Sequence, residues 1–182
     1  LFNRFTGAYV TVSNYPGTTV EVSRGKARLD GLDVEVVDTP GMYSLRPISE
    51  EEAVARRLLL EETPALTLHV VDAKNLQRML PLTLQLHEAG LPVMLALNLM
   101  DEADAQGFTF DLTALSEALG IPVFATAGAA NRGVPELRAA IGAALHGTAP
   151  PVCTEPVSYA PAIEQAVRDI LALVGDTGLR CP

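Results

Sequence analysis

Apolar and polar positions along this chain follow two successive patterns. Near the start, residues 20–29 and 33–38 are β-rich runs joined through Asp30 and Gly31, a pair suited to a tight hairpin, so two antiparallel strands are predicted. Farther on, apolar runs at residues 67–72, 92–97 and 122–126 are separated by stretches of helical periodicity. That alternation predicts parallel strands joined by crossover helices. The helices are expected at residues 49–61, 75–89, 111–119 and 134–146. Ser49 and the glutamates behind it mark the start of the first, Gly90 and Gly120 close the next two, and Pro135 suits the opening turn of the last. In that last helix Val134, Leu137, Ile141 and Leu145 form one apolar stripe. Residues 1–5 read as the end of a helix stopped by Gly7, begun upstream.

After Gly147 the run TAPPVCTEPV breaks the periodicity. Residues 1–147 are therefore read as one domain, 148–161 as a Pro-rich linker and 162–182 as the start of a helical segment, with Ile163, Val167, Ile170, Leu171 and Val174 on one face. With 182 residues, 48% of them hydrophobic and 19% charged, the chain can bury a real core but not two full domains. A net charge of −9 leaves no basic footprint for nucleic acid or anionic lipid. No apolar stretch approaches the ~18 residues of a membrane span. Cys153 and Cys181 lack metal-ligand spacing, which suits a reducing, cytosolic setting. His69, His87 and His146 have no acid–base partner nearby in sequence and are read as structural.

Short polar elements at the ends of the apolar runs add chemistry to this outline. Asp38-Thr39-Pro40-Gly41 follows a strand expected at the C-terminal edge of a parallel sheet, where ligands of such sheets bind. A carboxylate there can hold magnesium through water, and Gly41 opens a backbone N–H to a terminal phosphate. Asn98-Leu99-Met100-Asp101 ends a later strand. A carboxylate at that place can accept hydrogen bonds from guanine N1–H and the exocyclic amine, so Asp101 would select guanine, with Asn98 tying neighbouring loops together. The loop NYPGTTV, starting at Asn14, carries hydroxyls at Thr18 and Thr19, either of which can serve a magnesium ion. After the last strand, Ala127, Gly128 and Ala129 are small enough to let backbone amides approach the base. Each element alone is readable as an ordinary turn. Their order and spacing in one chain point to a guanine-nucleotide site.

On these residues the chain closely resembles the GTP-binding N-terminal domain of ferrous iron transport protein B (FeoB), a family of bacterial membrane transporters. The resemblance covers nearly all of residues 1–146 and rests on LFNRFTG, NYPGTTVE, DTPGMYSL, VVDAKNLQRMLPLTLQL and ALNLMDEA. The fourth run is the most specific, because GTPases in general share the short motifs but not that stretch. The resemblance implies a P-loop-NTPase-like (Ras-like) α/β fold with a mostly parallel sheet and helices on both faces. It implies that Thr19 is a magnesium ligand and Asp38 its water-mediated partner, that Gly41 contacts the γ-phosphate, that Asn98 and Asp101 recognise guanine, and that the amides of Ala127, Gly128 and Ala129 lie beside the base. GTP or GDP and Mg²⁺ are the implied ligands, potassium an implied activator in some members, and a membrane permease domain of the same parent chain the implied partner. That places the domain at the cytoplasmic face of the bacterial inner membrane.

The family pattern also carries a G-x-x-x-x-G-K-[ST] loop just before the residues matching LFNRFTG. The sequence opens after it, so the first strand and the P-loop are expected to be absent from this chain, and sheet edges to be uncovered. Met42 stands where some GTPases place a water-orienting glutamine, which implies slow hydrolysis in an intact parent. Two other readings are a ribosome- or RNA-associated GTPase, disfavoured by the acidic balance, and a non-enzymatic fragment without a P-loop.

Overall fold

The computed structural model describes residues 1–6 and 10–147. Helix α1 (Phe2–Phe5) is one turn, ended by Thr6 in an extended conformation. The stop expected at Gly7, and the linker and helical segment expected over residues 148–182, lie outside the described residues.

Strands β1 (Val10–Asn14), β2 (Glu21–Leu29) and β3 (Leu32–Asp38) form an antiparallel sheet in that order. Asp30 and Gly31 adopt φ of 48° and 85°, the left-handed pair that a two-residue hairpin loop requires, and they set Leu29 opposite Leu32. Strand β1 was not visible as an apolar pattern, because Val-Thr-Val-Ser-Asn is exposed along its whole length. Its β-branched composition was the available signal, and pairing with β2 supplies the ladder that makes it a strand.

The rest of the chain runs through α2 (Glu50–Glu61), β4 (Thr67–Asp72), a 3₁₀ turn at Ala73–Asn75, α3 (Leu76–Glu88), β5 (Val93–Asn98), α4 (Met100–Ala105), α5 (Leu112–Leu119), β6 (Val123–Ala125) and α6 (Val134–Leu145). Ser49 and Asp111 cap α2 and α5 by accepting from the amides of Glu52 and Ala114. Gly120 ends α5 in the left-handed region, as its position predicts. Strands β4, β5 and β6 pair in parallel, in that order. Among the described residues parallel pairing is confined to this second sheet, and the placing of Asp38 on a parallel edge is corrected accordingly. Since the short hairpin forces β3 to run against β2, the described pairing of β3 is antiparallel.

Val93 to Leu97 are all buried, and successive residues serve opposite faces of the parallel sheet. Val93, Leu95 and Leu97 pack with Leu82 and Leu86 of α3 and with residues of α5, whereas Met94 and Ala96 pack with Leu137 and Ile141 of α6 and with Phe5. Helices thus cover both faces. Burial of each such leucine contributes ~2 kcal/mol, so the buried centre strand anchors the domain. Between the edges of β3 and β4 runs a cleft of about 510 Å³, walled by Val34 and Val36 on one side and Leu66 and Leu68 on the other, with Leu58 and Ile141 also lining it.

Under α3, His69 of β4 is buried and its Nδ1 shares a 2.9 Å hydrogen bond with the Thr83 hydroxyl. Burial lowers its pKa from 6.5 to about 4, because the charged ring would lose its hydration. The unfolded chain therefore takes up a proton before the folded one does. The stabilisation is complete above about pH 6.5 and is lost as pH falls toward about 4. Denaturant titrations should find the protein about 2 kcal/mol less stable at pH 5 than at pH 7.5 on this account, and His69→Asn should flatten that difference. An unchanged difference in the variant would assign it to other groups.

Candidate functional site

The ends of β5 and β6 are laced together. Thr126 donates its backbone N–H to the Leu97 carbonyl at 2.7 Å, and the Thr126 carbonyl accepts from the Met100 amide at 3.1 Å. Asn98 Oδ1 accepts two hydrogen bonds at 3.1 Å, from the Thr126 hydroxyl and from the Gly128 amide. One side chain at the end of β5 thereby holds the loop that follows β6.

Leu99 turns the chain from β5 into α4 with φ 61°. A non-glycine residue in this region costs ~1 to 2 kcal/mol, a kind of strain that collects at functional sites. The turn places Asp101 in the first turn of α4, exposed, with no described residue hydrogen-bonding its carboxylate. Beside it, Lys74 forms an ion pair with Glu102. That hydrogen bond raises the Lys74 pKa, with smaller contributions from Asp72 and Asp101. The base-reading candidate is thus a free acceptor at the C-terminal edge of a parallel sheet.

Of the loop amides expected beside a base, two are already engaged. Ala127 N–H donates to the Arg132 carbonyl at 2.9 Å and Gly128 N–H to Asn98. Among the described residues, the amides of Ala129 and Ala130 have no partner, so any ligand acceptor would meet Ala129 and the following residue rather than Ala127 or Gly128. Sequence reasoning passed over Arg4 altogether. Its guanidinium donates to the Gly128 carbonyl at 3.0 Å and the Ala129 carbonyl at 2.7 Å. A charged residue one helical turn into the chain carries no local signal of a contact 124 residues away.

At the end of β3, Asp38 is exposed, and no described residue hydrogen-bonds its carboxylate. Desolvation by the surrounding protein raises its pKa above the ordinary value. Leu1 lies against Gly128: a Cβ added there would sit 3.4 Å from the leucine side chain. Thr18 and Thr19 differ sharply. The Thr18 hydroxyl donates to the Tyr15 carbonyl at 3.0 Å and accepts from the Val20 amide at 3.2 Å, closing the turn. Thr19 is exposed with its hydroxyl free of described partners. The register that sets Ser23 opposite Asp38 carries Thr19 toward the same end of the sheet.

Gly41 is exposed, with nothing within 4 Å of where a Cβ would stand. The segment after it is fastened to α3. Gln85 Oε1 accepts from the Leu45 amide at 2.8 Å and the Ser44 hydroxyl at 3.2 Å, and the Arg78 guanidinium stacks 4.7 Å over the Tyr43 ring. Met42 packs into the core on that side.

Comparison with known proteins fits this geometry. The family model described as ferrous iron transport protein B matches residues 1–141. The Fe(2+) transport protein A/Fe(2+) transporter FeoB fusion protein of Porphyromonas gingivalis is 52% identical over 138 residues, 75% of this chain and 16% of that protein. The Fe(2+) transporter FeoB of Escherichia coli K12 is 41% identical over 145 residues, 78% of this chain and 19% of that protein. The chain thus spans less than a fifth of these relatives' length. Among solved structures, the cytosolic domain of T. maritima FeoB in a GDP form superposes with a TM-score of 0.87 at 32% identity, covering 98% of this chain and 70% of that one. A mutant S. thermophilus NFeoB bound to GDP gives 0.81 at 40% identity, covering 96% and 66%. The fold is accordingly the P-loop-NTPase or Ras-like α/β fold, with parallel and antiparallel pairing both present. By sequence and by fold, this chain belongs to the ferrous iron transport protein B family and corresponds to its N-terminal G domain.

Proposed function

We propose that this chain is the guanine-nucleotide-binding domain of a regulatory GTPase that forms part of a bacterial ferrous iron transporter. The observation that carries the reading is the base-side arrangement: a free Asp101 carboxylate beside a loop whose Gly128 amide is held by Asn98 and whose next two amides are open. The carboxylate suits the two N–H donors of guanine, and open amides suit its carbonyl acceptor. The T. maritima relative has been solved in GDP and GMPPNP forms, which supports the same ligand class here.

The oxygen donors at the phosphate side fit Mg²⁺ in kind. Asp38 supplies an unpaired carboxylate and Thr19 a free hydroxyl, whereas the Thr18 hydroxyl is occupied by its turn. Among the described residues no cluster of three or more His, Cys, Asp or Glu side chains can hold a metal, so Asp38 and Thr19 would share the ion with water and phosphate oxygens. When bound, the ion neutralises phosphate charge. Gly41 would offer its amide to the γ-phosphate. Potassium activation is supported by family resemblance alone.

Met42, packed into the core, cannot orient an attacking water, so intrinsic hydrolysis is slow in this reading. The Met42 to Pro47 segment, fastened to α3 by Gln85 and Arg78, is the element whose position would report the nucleotide state to a membrane permease domain at the cytoplasmic face of the inner membrane. Among the described residues no helix is long and apolar enough to cross a membrane. The net charge of −9 argues against nucleic acid as the partner.

The test is competition binding with the full-length gene product. GDP should displace a fluorescent guanine nucleotide at least ~100-fold better than ADP, as a site built to pair specific N–H donors implies. Equal competition by ADP would overturn the assignment. With a non-hydrolysable GTP analogue, Thr19→Ala should weaken the magnesium-dependent gain in affinity by about tenfold, against about threefold or less for Thr18→Ala.

A further inference from the structure

Arg4 lies on α1, far in sequence from the base-side loop, yet its only described side-chain hydrogen bonds go to that loop. Nε reaches the Gly128 carbonyl at 3.0 Å, and Nη2 reaches the Ala129 carbonyl at 2.7 Å. In a trans peptide the carbonyl of one residue and the N–H of the next point in opposite directions. Holding the Gly128 and Ala129 carbonyls toward α1 therefore turns the amides of Ala129 and Ala130 away from it. Neither of these amides has a described partner, and Asn98 fixes the preceding one from the other side. Within the loop Ala127 and Arg132 pair with each other and the Gly128 carbonyl also accepts from the Asn131 amide at 3.4 Å, whereas Arg4 is the described donor to the Ala129 carbonyl.

The anchor is itself held. Arg138 of α6 donates to the Arg4 carbonyl at 3.0 Å, the Phe5 carbonyl at 3.1 Å and the Arg28 carbonyl at 3.0 Å, and its guanidinium lies 5.6 Å from the centre of the Phe5 ring. Helix α1 is thus strapped to β2 and α6 at its C-terminal end while Arg4 reaches across to the loop. A planar fork suits two successive carbonyls in a way that a lysine ammonium, a point donor, does not.

We infer that Arg4 is a positioning residue for nucleotide binding: by clamping the Gly128 and Ala129 carbonyls it aims the Ala129 and Ala130 amides at an acceptor on the guanine edge and slows release of the base. This rests on the guanine-nucleotide reading above. Arg4 touches no nucleotide atom in this account and acts only through the loop. Its loss should appear in the dissociation rate rather than the association rate, and equally for GDP and for IDP, which lacks only the exocyclic amine read by Asp101.

The experiment is stopped-flow release of fluorescent GDP from the full-length gene product, comparing wild type, Arg4→Ala and Arg4→Lys, with IDP competition for each. Arg4→Ala should release GDP about tenfold faster with association within about twofold of wild type, the loss expected for two charge-assisted bonds acting on an exposed loop. Arg4→Lys should recover less than half of that loss, and it keeps the comparison open if the alanine variant folds poorly. The GDP to IDP affinity ratio and the melting temperature without nucleotide should stay at wild-type values, which a general loosening of the domain would not allow. Release by both variants at the wild-type rate, from a wild type that binds GDP tightly, overturns the role of Arg4 alone. A wild type that binds no guanine nucleotide overturns the functional reading and this inference with it.

Discussion

Asp101→Asn should lower the affinity for GDP by about two to three orders of magnitude and let xanthine nucleotides bind in its place. The carboxylate presents two acceptors, and guanine presents two donors, N1–H and the exocyclic amine. Replacing one carboxylate oxygen with an amide NH₂ sets donor against donor, which loses a charge-assisted pair and leaves a desolvated group unmatched. Each of those costs ~1 to 3 kcal/mol, and 1.4 kcal/mol is tenfold in affinity. Xanthine carries a carbonyl where guanine has the amine, so the asparagine amide meets an acceptor again. Because Asp101 is exposed and hydrogen-bonded to no described residue, the substitution removes no structural contact. A fall in GDP affinity with no gain for xanthine would point to indirect disturbance, and an unchanged preference would remove Asp101 from the site. Direct titration with GDP, XDP and ADP separates these results.

Gly133→Ala is expected to cause the largest loss of stability. Gly133 precedes α6 with φ 71°, and a Cβ there would stand 2.0 Å from the Ala125 carbonyl oxygen, 3.1 Å from its carbon and 3.3 Å from the Thr126 Cα. All three atoms are backbone, so no side-chain rotation relieves the overlap. Either α6 withdraws from β6 or the end of β6 shifts. The first uncovers Val134 and Leu137, both buried, and the second moves Thr126, which Asn98 holds. A cost of about 3 to 5 kcal/mol follows, a fall of roughly 10 °C or more in melting temperature. Gly107→Ala is the control: φ there is 79°, but nothing lies within 4 Å, so only the left-handed penalty of ~1 kcal/mol applies. If the two variants melted together, the close approach of α6 to β6 would be disproved.

Much of the fold was legible because its signals are local. The Asp30-Gly31 turn, the Ser49 and Asp111 caps and the Gly120 stop each act within a few residues of themselves, and the apolar run before Asn98 announces a strand buried on both faces. Strand β1 and helix α4 escaped because neither has an apolar face to betray it: β1 is exposed throughout, and α4 buries a single residue, Ala103. The parallel edge expected at Asp38 failed for a different reason. Strand partners are chosen by hairpin geometry and by what lies beside them in space, and the letters of β3 do not record its neighbour.

The candidate site divides along the same line. The sequence by itself determined which chemical groups are available, a carboxylate and an asparagine after one apolar strand, a carboxylate and a glycine after another, paired threonines in a loop, because side-chain chemistry and order along the chain are properties of the sequence. Only the tertiary structure decided which of those groups are free. Thr18 is withdrawn by its own turn and Thr19 is not. Ala127 and Gly128 have given up their amides while Ala129 keeps its own. Arg4 reaches its carbonyls across 124 positions of chain. A hydrogen bond needs two partners within about 3 Å, and that distance is set by how α1, β5 and β6 pack together rather than by any residue's neighbours in sequence.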